Sequence, residues 1–216
     1  WDIASSSVET EDGKFDGYPW EAIARKLIAP FGISLETVGT VDATPFPEMS
    51  VQPGELVWAT LERLARDRKI VLGSTERGNL LAIGDHSGSA SDALVEGGNI
   101  KSANCTIQDD YVYQKYWTLG QRAGHDDAWG DDVSRIRAVA QGSATRYRPL
   151  VNIAEHPDTP EGLKKRSEFD ALHHEGAMIQ AQVTVQGWLR PSGGLWKVGT
   201  YPHVKSPMLL LDQPLG

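Results

Sequence analysis

The densest group of metal-type side chains in the sequence is His125-Asp126-Asp127 with Asp131 and Asp132. Hard cations such as calcium collect several oxygens from one loop. This spacing lacks the alternating ligands, central glycine and closing glutamate of an EF-hand, so it reads as a solvated acidic loop. His173-His174-Glu175 also sets imidazoles beside a carboxylate. Neighbours on a helix point about 100° apart, so the two rings share no face. Zinc-protease chemistry needs histidines four apart with a glutamate between them. The triplet reads instead as a polar helix end, where histidine suits the helix dipole.

Other chemistries find little support. No serine occupies a Gly-x-Ser-x-Gly elbow. Cys105 is the only cysteine. It can make no internal disulfide and no zinc pair, which points to assembly in a reducing compartment. Among strand residues it reads as a small hydrophobe. Gly193-Gly194 lacks the glycine, lysine or helix that a phosphate loop needs downstream, and no cofactor is expected. Asp109, Asp110, Asp126 and Asp127 could furnish a glycosidase pair, but sequence spacing does not fix the separation of two carboxylates. Seven tryptophans are a high count. Trp20 and Trp58 fall in expected helices and read as core. Trp117, Trp188 and Trp196 fall in expected strands, inside a barrel or at a subunit contact, and exposed ones could stack on sugars. Arg146-Tyr147-Arg148 is a basic patch that could meet an acidic partner or pair locally with Asp126 to Asp132.

The elements that must position these residues follow from periodicity. Trp20, Ile23, Ala24, Leu27 and Ile28 have helical spacing after Pro19, and Pro30 halts that helix. Pro53-Gly54 opens a second helix with Val57, Leu61, Leu64 and Ala65 on one face. Ile70 to Leu72, a Gly78-Asn79 turn and Leu80 to Ile83 read as a hairpin. Residues 84–98 are rich in Gly, Ser, Ala and Asp and suggest a linker. Asn104 to Ile107, Tyr111 to Leu119, Ile136 to Ala140 and Leu150 to Ala154 look extended. Thr159 caps a helix with Pro160 in its first turn, and Gly176 suits a left-handed end. Then Ile179, Ala181, Val183 and Val185 alternate with Gln180, Gln182, Thr184 and Gln186, a strand with one buried and one wet face. A turn at Pro191 to Gly194 returns to Leu195-Trp196.

Composition bounds the class. At 40% hydrophobic and 23% charged, 216 residues can bury one or two cores. The formal charge of −8 repels phosphate and argues against specific nucleic-acid binding. No apolar run is long enough to span a membrane.

The order of short pieces resembles a known family. Gln52-Pro-Gly-Glu55, Gly78-Asn79-Leu80, Leu119-Gly-Gln121, Arg146-Tyr-Arg-Pro-Leu-Val151, the charged helix with Arg166 and Glu168, Val185-x-Gly-Trp188 and Gly194-Leu-Trp196 resemble the tail or baseplate hub proteins of Mu-like contractile phages and prophages (the P protein family). That family is itself similar to contractile-tail hubs and to the spike protein of type VI secretion. Trp1-Asp-Ile-Ala-Ser5 resembles the segment after the family's first barrel, which places an N-terminal barrel and a C-terminal extension outside these residues. The resemblance implies an α+β chain. Residues 1–16 would be the end of the preceding barrel, 17–98 a small α/β module, and 99–216 a tail-hub-type β-barrel domain with a helical insertion at about 121–177. It implies a structural, non-enzymatic hub subunit, homotrimeric in the whole protein, in a ring that joins tail tube to spike and contacts other baseplate proteins. The virion would be its location, after assembly in the bacterial host cytoplasm. Trp188, Trp196, Gln180, Gln182, Gln186, Arg146 and Arg148 are the expected interface or lumen residues. A tail-associated cell-wall glycosidase or a glycan-binding module is the alternative.

Overall fold

The computed structural model describes residues 2–9, 13–85, 92–121, 130, 135–155 and 158–215. In order, its helices and first strands are α1 (Trp20–Ile28), β1 (Leu35–Val38), α2 (Val57–Asp67), β2 (Val71–Ser74), β3 (Leu80–Ile83), β4 (Ala93–Val95), β5 (Ile100–Ile107) and β6 (Lys115–Gly120). Then come β7 (Ile136–Gln141), β8 (Pro149–Ile153), α3 (Pro160–Ala177), β9 (Ile179–Val185), β10 (His203–Ser206) and β11 (Leu211–Pro214). The chain is therefore α+β. It divides into two compact units, Trp1–Asp85 with Val112–Glu175, and His86–Tyr111 with Gly176–Gly216.

The first unit is built on two amphipathic helices. The spacing of Trp20, Ile23, Ala24, Leu27 and Ile28 buries one face of α1. A short 3-10 turn over Ala29–Phe31 follows, and Gly32 at φ 67° ends it in the left-handed region. Val57, Thr60, Leu61, Leu64 and Ala65 bury the matching stripe of α2. The Trp20 indole N–H donates to the Leu61 carbonyl at 3.2 Å, so the largest core side chain also ties the two helices together. β3 pairs parallel with β1 and antiparallel with β2. As the central strand it is buried at all four residues. The helix opens at Val57 rather than at Pro53-Gly54.

The same unit holds a second sheet. β6 lies between antiparallel β7 and parallel β8. Tyr116, Ala140 and Ala171 of α3 form a small core there. A Cβ on Gly120 would come within 2.7 Å of the Leu163 side chain of α3, so the helix rests close on this strand. The Thr159 hydroxyl accepts the Gly162 N–H at 3.1 Å, the expected cap. The expected left-handed end at Gly176 is not observed. The helix runs on to Ala177, and Gly176 is absent from the glycines with positive φ.

In the second unit β10 pairs parallel with β4 and antiparallel with β11, while β5 and β9 form an antiparallel ribbon. Leu94, Val204 and Leu211 centre its core. The stretch read as a linker thus contributes β4, because a parallel partner over a hundred residues away gives its three residues a ladder. Among the described residues the strands sort into four sheets of two or three strands, with no closed barrel.

Candidate functional site

The alternation expected after α3 is present. Along β9, Ile179, Ala181, Val183 and Val185 are half-buried, and Gln180, Gln182 and Thr184 are exposed. The register sets Thr106 opposite Gln180, Asn104 opposite Gln182 and Ser102 opposite Thr184. The wet face of the ribbon is a ladder of small uncharged polar side chains. Its other face sends Cys105, Ala181 and Val183 into the core, so Cys105 is half-buried with its neighbours apolar. Gln186 is exposed just past the strand, its N–H bonded to the Asn99 carbonyl at 2.9 Å.

Trp188 and Trp196 part company. Both were expected in strands; the structure gives only a single bridge, Leu189 to Leu195, around the turn. Gly187, Gly193 and Gly194 all have positive φ, which breaks an extended ladder. Trp188 is 86% exposed, whereas Trp196 packs against the core of its unit. The turn between them is held from below. Asp92, nearly buried, accepts the Ser192 hydroxyl at 2.6 Å and the Ser192 N–H at 2.9 Å, and pairs with Arg190 at 3.4 Å. That clamp is not visible in the sequence, because Asp92 lies about a hundred positions away in a stretch of linker composition.

Arg146 is exposed, and Arg148 lies with its guanidinium 4.7 Å from the Tyr113 ring centroid. The His125, Asp126, Asp127, Asp131 and Asp132 cluster lies outside the described residues. Among the described residues no group of three His, Cys, Asp or Glu side chains could hold a metal ion, and no helix is long and apolar enough to cross a membrane. Asp109 and Asp110 are both exposed beyond β5. His173 stacks on Phe169 and His174 on Tyr116, while the two imidazoles stay tilted neighbours with centroids 6.0 Å apart. Burial holds the His174 imidazole below its ordinary pKa, against the pull of Asp170.

Charge is used structurally in the first unit. Arg68 is 2% exposed. It pairs with buried Asp158 at 2.9 Å, donates to the Thr44, Pro45 and Asp67 carbonyls, and stacks 3.9 Å from the Phe46 ring centroid. Lys69 pairs with Glu168, Lys165 with Asp42 at 2.8 Å, and Arg166 with Asp67 at 3.2 Å and Asp170 at 3.1 Å. α3 is thereby tied to α2 and to the loop after β1. Burial opposes the ionisation of Asp42, but bonds from Lys165 and Thr44 outweigh it and hold the carboxyl below its usual range. Glu55 is similar: burial opposes its charge, and Arg63 with the Gln52 N–H overcomes it. The Gln52-Pro-Gly-Glu55 motif therefore ends in a carboxylate that fastens the turn before α2 to the helix itself.

A second surface was missed in the sequence. α3 covers one face of the β7-β6-β8 sheet. The other face is a grid of three rows: Val139-Trp117-Val151, Arg137-Leu119-Ile153 and Gln141-Lys115-Pro149. Val151 is 54% exposed and Ile153 78%. An antiparallel or mixed sheet facing water on one side should alternate apolar with polar residues; here the outer face carries Val139, Trp117, Val151, Leu119 and Ile153 among Arg137, Lys115 and Gln141.

Among the described residues the surfaces that stand out are apolar and uncharged polar strand faces. Residues 1–84 match the family described as baseplate hub protein gp44-like, second domain. The baseplate hub protein gp44 of Escherichia phage Mu is 27% identical over 205 residues, covering 90% of this chain and 53% of that protein. The 43 kDa tail protein of prophage MuSo2 from Shewanella oneidensis superposes with a TM-score of 0.79 at 29% identity, over 99% of this chain and 64% of that one. A tail protein from Neisseria meningitidis MC58 shares the fold with a TM-score of 0.77 at 21% identity, over 98% and 64%. The chain is thus similar to Mu-type tail proteins, as the order of its motifs indicated, and spans about half the length of the curated relative it matches.

Proposed function

We propose that this chain is the central part of a baseplate hub subunit in a Mu-like contractile tail, structural and without catalysis, located in the virion. The single observation that carries the reading is the likeness to the prophage MuSo2 tail protein, which extends over 99% of this chain at 29% identity. The gp44-like match over residues 1–84 narrows it to the hub.

The mechanism is mechanical. Three subunits form a ring that joins tail tube to spike and anchors other baseplate proteins. The β5–β9 ribbon supports this part of the reading. Two strands alone are marginal, and among the described residues each has a ladder partner on one edge only, so added strands from the rest of the protein or from sister copies would complete a barrel wall. The Ser102, Asn104, Thr106, Gln180, Gln182 and Thr184 side chains are uncharged, which suits a lumen past which a polyanion slides, with exposed Lys101 at the bulge beside Ser102. Trp188, presented on a clamped turn, suits a protein contact better than a sugar site, which would want a second ring beside it; Trp196 is tucked into the core. Arg146 and Arg148 lie on the rim of the β7-β6-β8 sheet and would face an acidic neighbour.

Light scattering on the whole protein tests the ring: a mass three times that of the subunit is expected, and a monomer at every concentration would overturn it. Incubation with peptidoglycan should release no sugar. Release abolished by Asp109→Asn or Asp110→Asn would establish the glycosidase instead.

A further inference from the structure

We infer that a water molecule is bound beneath α3, between the helix and the β7-β6-β8 sheet, as a fixed part of the first unit. The inference does not depend on the ring. Two contacts set the helix on the central strand: Leu163 lies against Gly120, and Ala171 packs with Tyr116. Leu163, Ser167 and Ala171 are successive turns of one helix face. Gly120, Thr118 and Tyr116 are successive residues on one strand face. A four-residue helical step of about 6 Å nearly matches a two-residue strand step of about 6.7 Å, so Ser167 comes to lie over Thr118. Both are covered, at 0% and 1% exposure.

The hydrogen bonding at this point is incomplete. The Ser167 hydroxyl donates to the Lys164 carbonyl at 2.9 Å, which leaves its oxygen as an acceptor. Thr118 Oγ1 has no hydrogen-bond partner, an unfavourable state for a buried hydroxyl. Level with Thr118 in the sheet stand Ala138 of β7 and Asn152 of β8. Asn152 donates its amide N–H to Asp170 at 2.7 Å, so its amide oxygen is an acceptor beside Thr118. A water that accepts the Thr118 hydroxyl and donates to Ser167 Oγ and the Asn152 amide oxygen makes three bonds, the usual number for a buried water. These three groups are neutral, and Asp170, the nearby carboxylate, is already engaged by Arg166 and Asn152. The chemistry therefore selects a neutral molecule that both donates and accepts, not a cation.

The test uses the whole protein and reads hydrogen exchange of the α3 amides, which reports how readily the helix lifts. Thr118→Val keeps the outline of the side chain and removes its hydroxyl; Ser167→Ala removes the facing one. Each should speed α3 exchange about five-fold or more, and the double variant should do no more than the larger single change, since both lose the same molecule. Thr118→Ser, which keeps the hydroxyl, should stay closer to the wild-type rate than Thr118→Val. If Thr118→Val slows exchange or leaves it unchanged, the hydroxyl has no water to lose and the inference falls. It falls equally if the two single effects multiply in the double variant. A crystal structure of the unaltered protein checks the location: density for a water within hydrogen-bond reach of Thr118 Oγ1 and Ser167 Oγ is expected, and none there, in a map that shows other buried waters, overturns the proposal.

Discussion

At the residue scale the first unit turns on Arg68. Its guanidinium is out of water, and every direction it faces is occupied by an acceptor or a ring. Breaking such a pair from one side leaves the other charge buried alone, at a cost of about 3–5 kcal/mol. Arg68→Met should lose about that much in urea unfolding, since Asp158 stays behind. Gly162→Ala makes a sharper case. Alanine normally favours a helix by about 1 kcal/mol over glycine. Here its Cβ would overlap the Asp158 carboxylate and force the Arg68 pair apart, so the substitution should destabilise by about 1–3 kcal/mol, measured the same way. His174 gives a pH dependence. Its folded pKa is depressed by burial, so the folded state binds fewer protons there than the unfolded one, whose imidazole titrates near about 6.5. That contribution is complete above this value and is lost as pH falls through the folded one. Melting temperature should therefore fall as pH drops below about 6.5, and His174→Phe should flatten that fall. Asp42 and Glu55 add a separate loss only at more acid pH, as each carboxyl protonates below its unfolded value.

At the element scale α3 differs from α1 and α2 in how it is held. Its buried apolar side chains are Leu163 and Ala171; Gly162, Ser167 and Asp170 fill the rest of its buried face. Lys69 and Lys165 fasten its flank through partly exposed pairs worth about 0–1 kcal/mol each, and Arg166 pairs with buried Asp67 and Asp170. Hydrogen exchange should find the amides of α3 opening before those of α2. One molar salt should speed exchange in α3 while leaving α2 nearly unchanged. This attachment was illegible in the sequence: Lys69 and Glu168 are 99 positions apart, Lys165 and Asp42 123, and neither spacing has a local signature. The helix itself was legible from Thr159 and Pro160. So were α1, α2 and β9, since a period of 3.6 or 2 survives without knowing the partner. β4 was hidden because a three-residue strand takes its identity from its ladder. The Trp188 and Trp196 segments were read as the two arms of a hairpin continuing β9, but their glycines take the chain into left-handed turns. Of the candidate site, the wet face of β9 was visible in advance. The apolar outer grid was not, because β6, β7 and β8 each look ordinary until the register aligns Val139, Trp117 and Val151.

At the scale of the whole molecule, the account holds that these surfaces exist to be covered by protein. The described residues assemble no metal cluster; what they present is a polar uncharged ladder, a clamped turn with an exposed tryptophan, and an apolar grid with a basic border. Residues 1–84 match the gp44-like baseplate hub family, and the fold is similar to that of a prophage tail protein. Cryo-electron microscopy of intact tails carrying this protein tests that claim most directly. Three copies of the fold arranged about the tail axis between tube and spike, with β5–β9 lining the channel, is the result the account predicts. Density for the fold elsewhere on the particle, or as single copies without a three-fold ring, would contradict it.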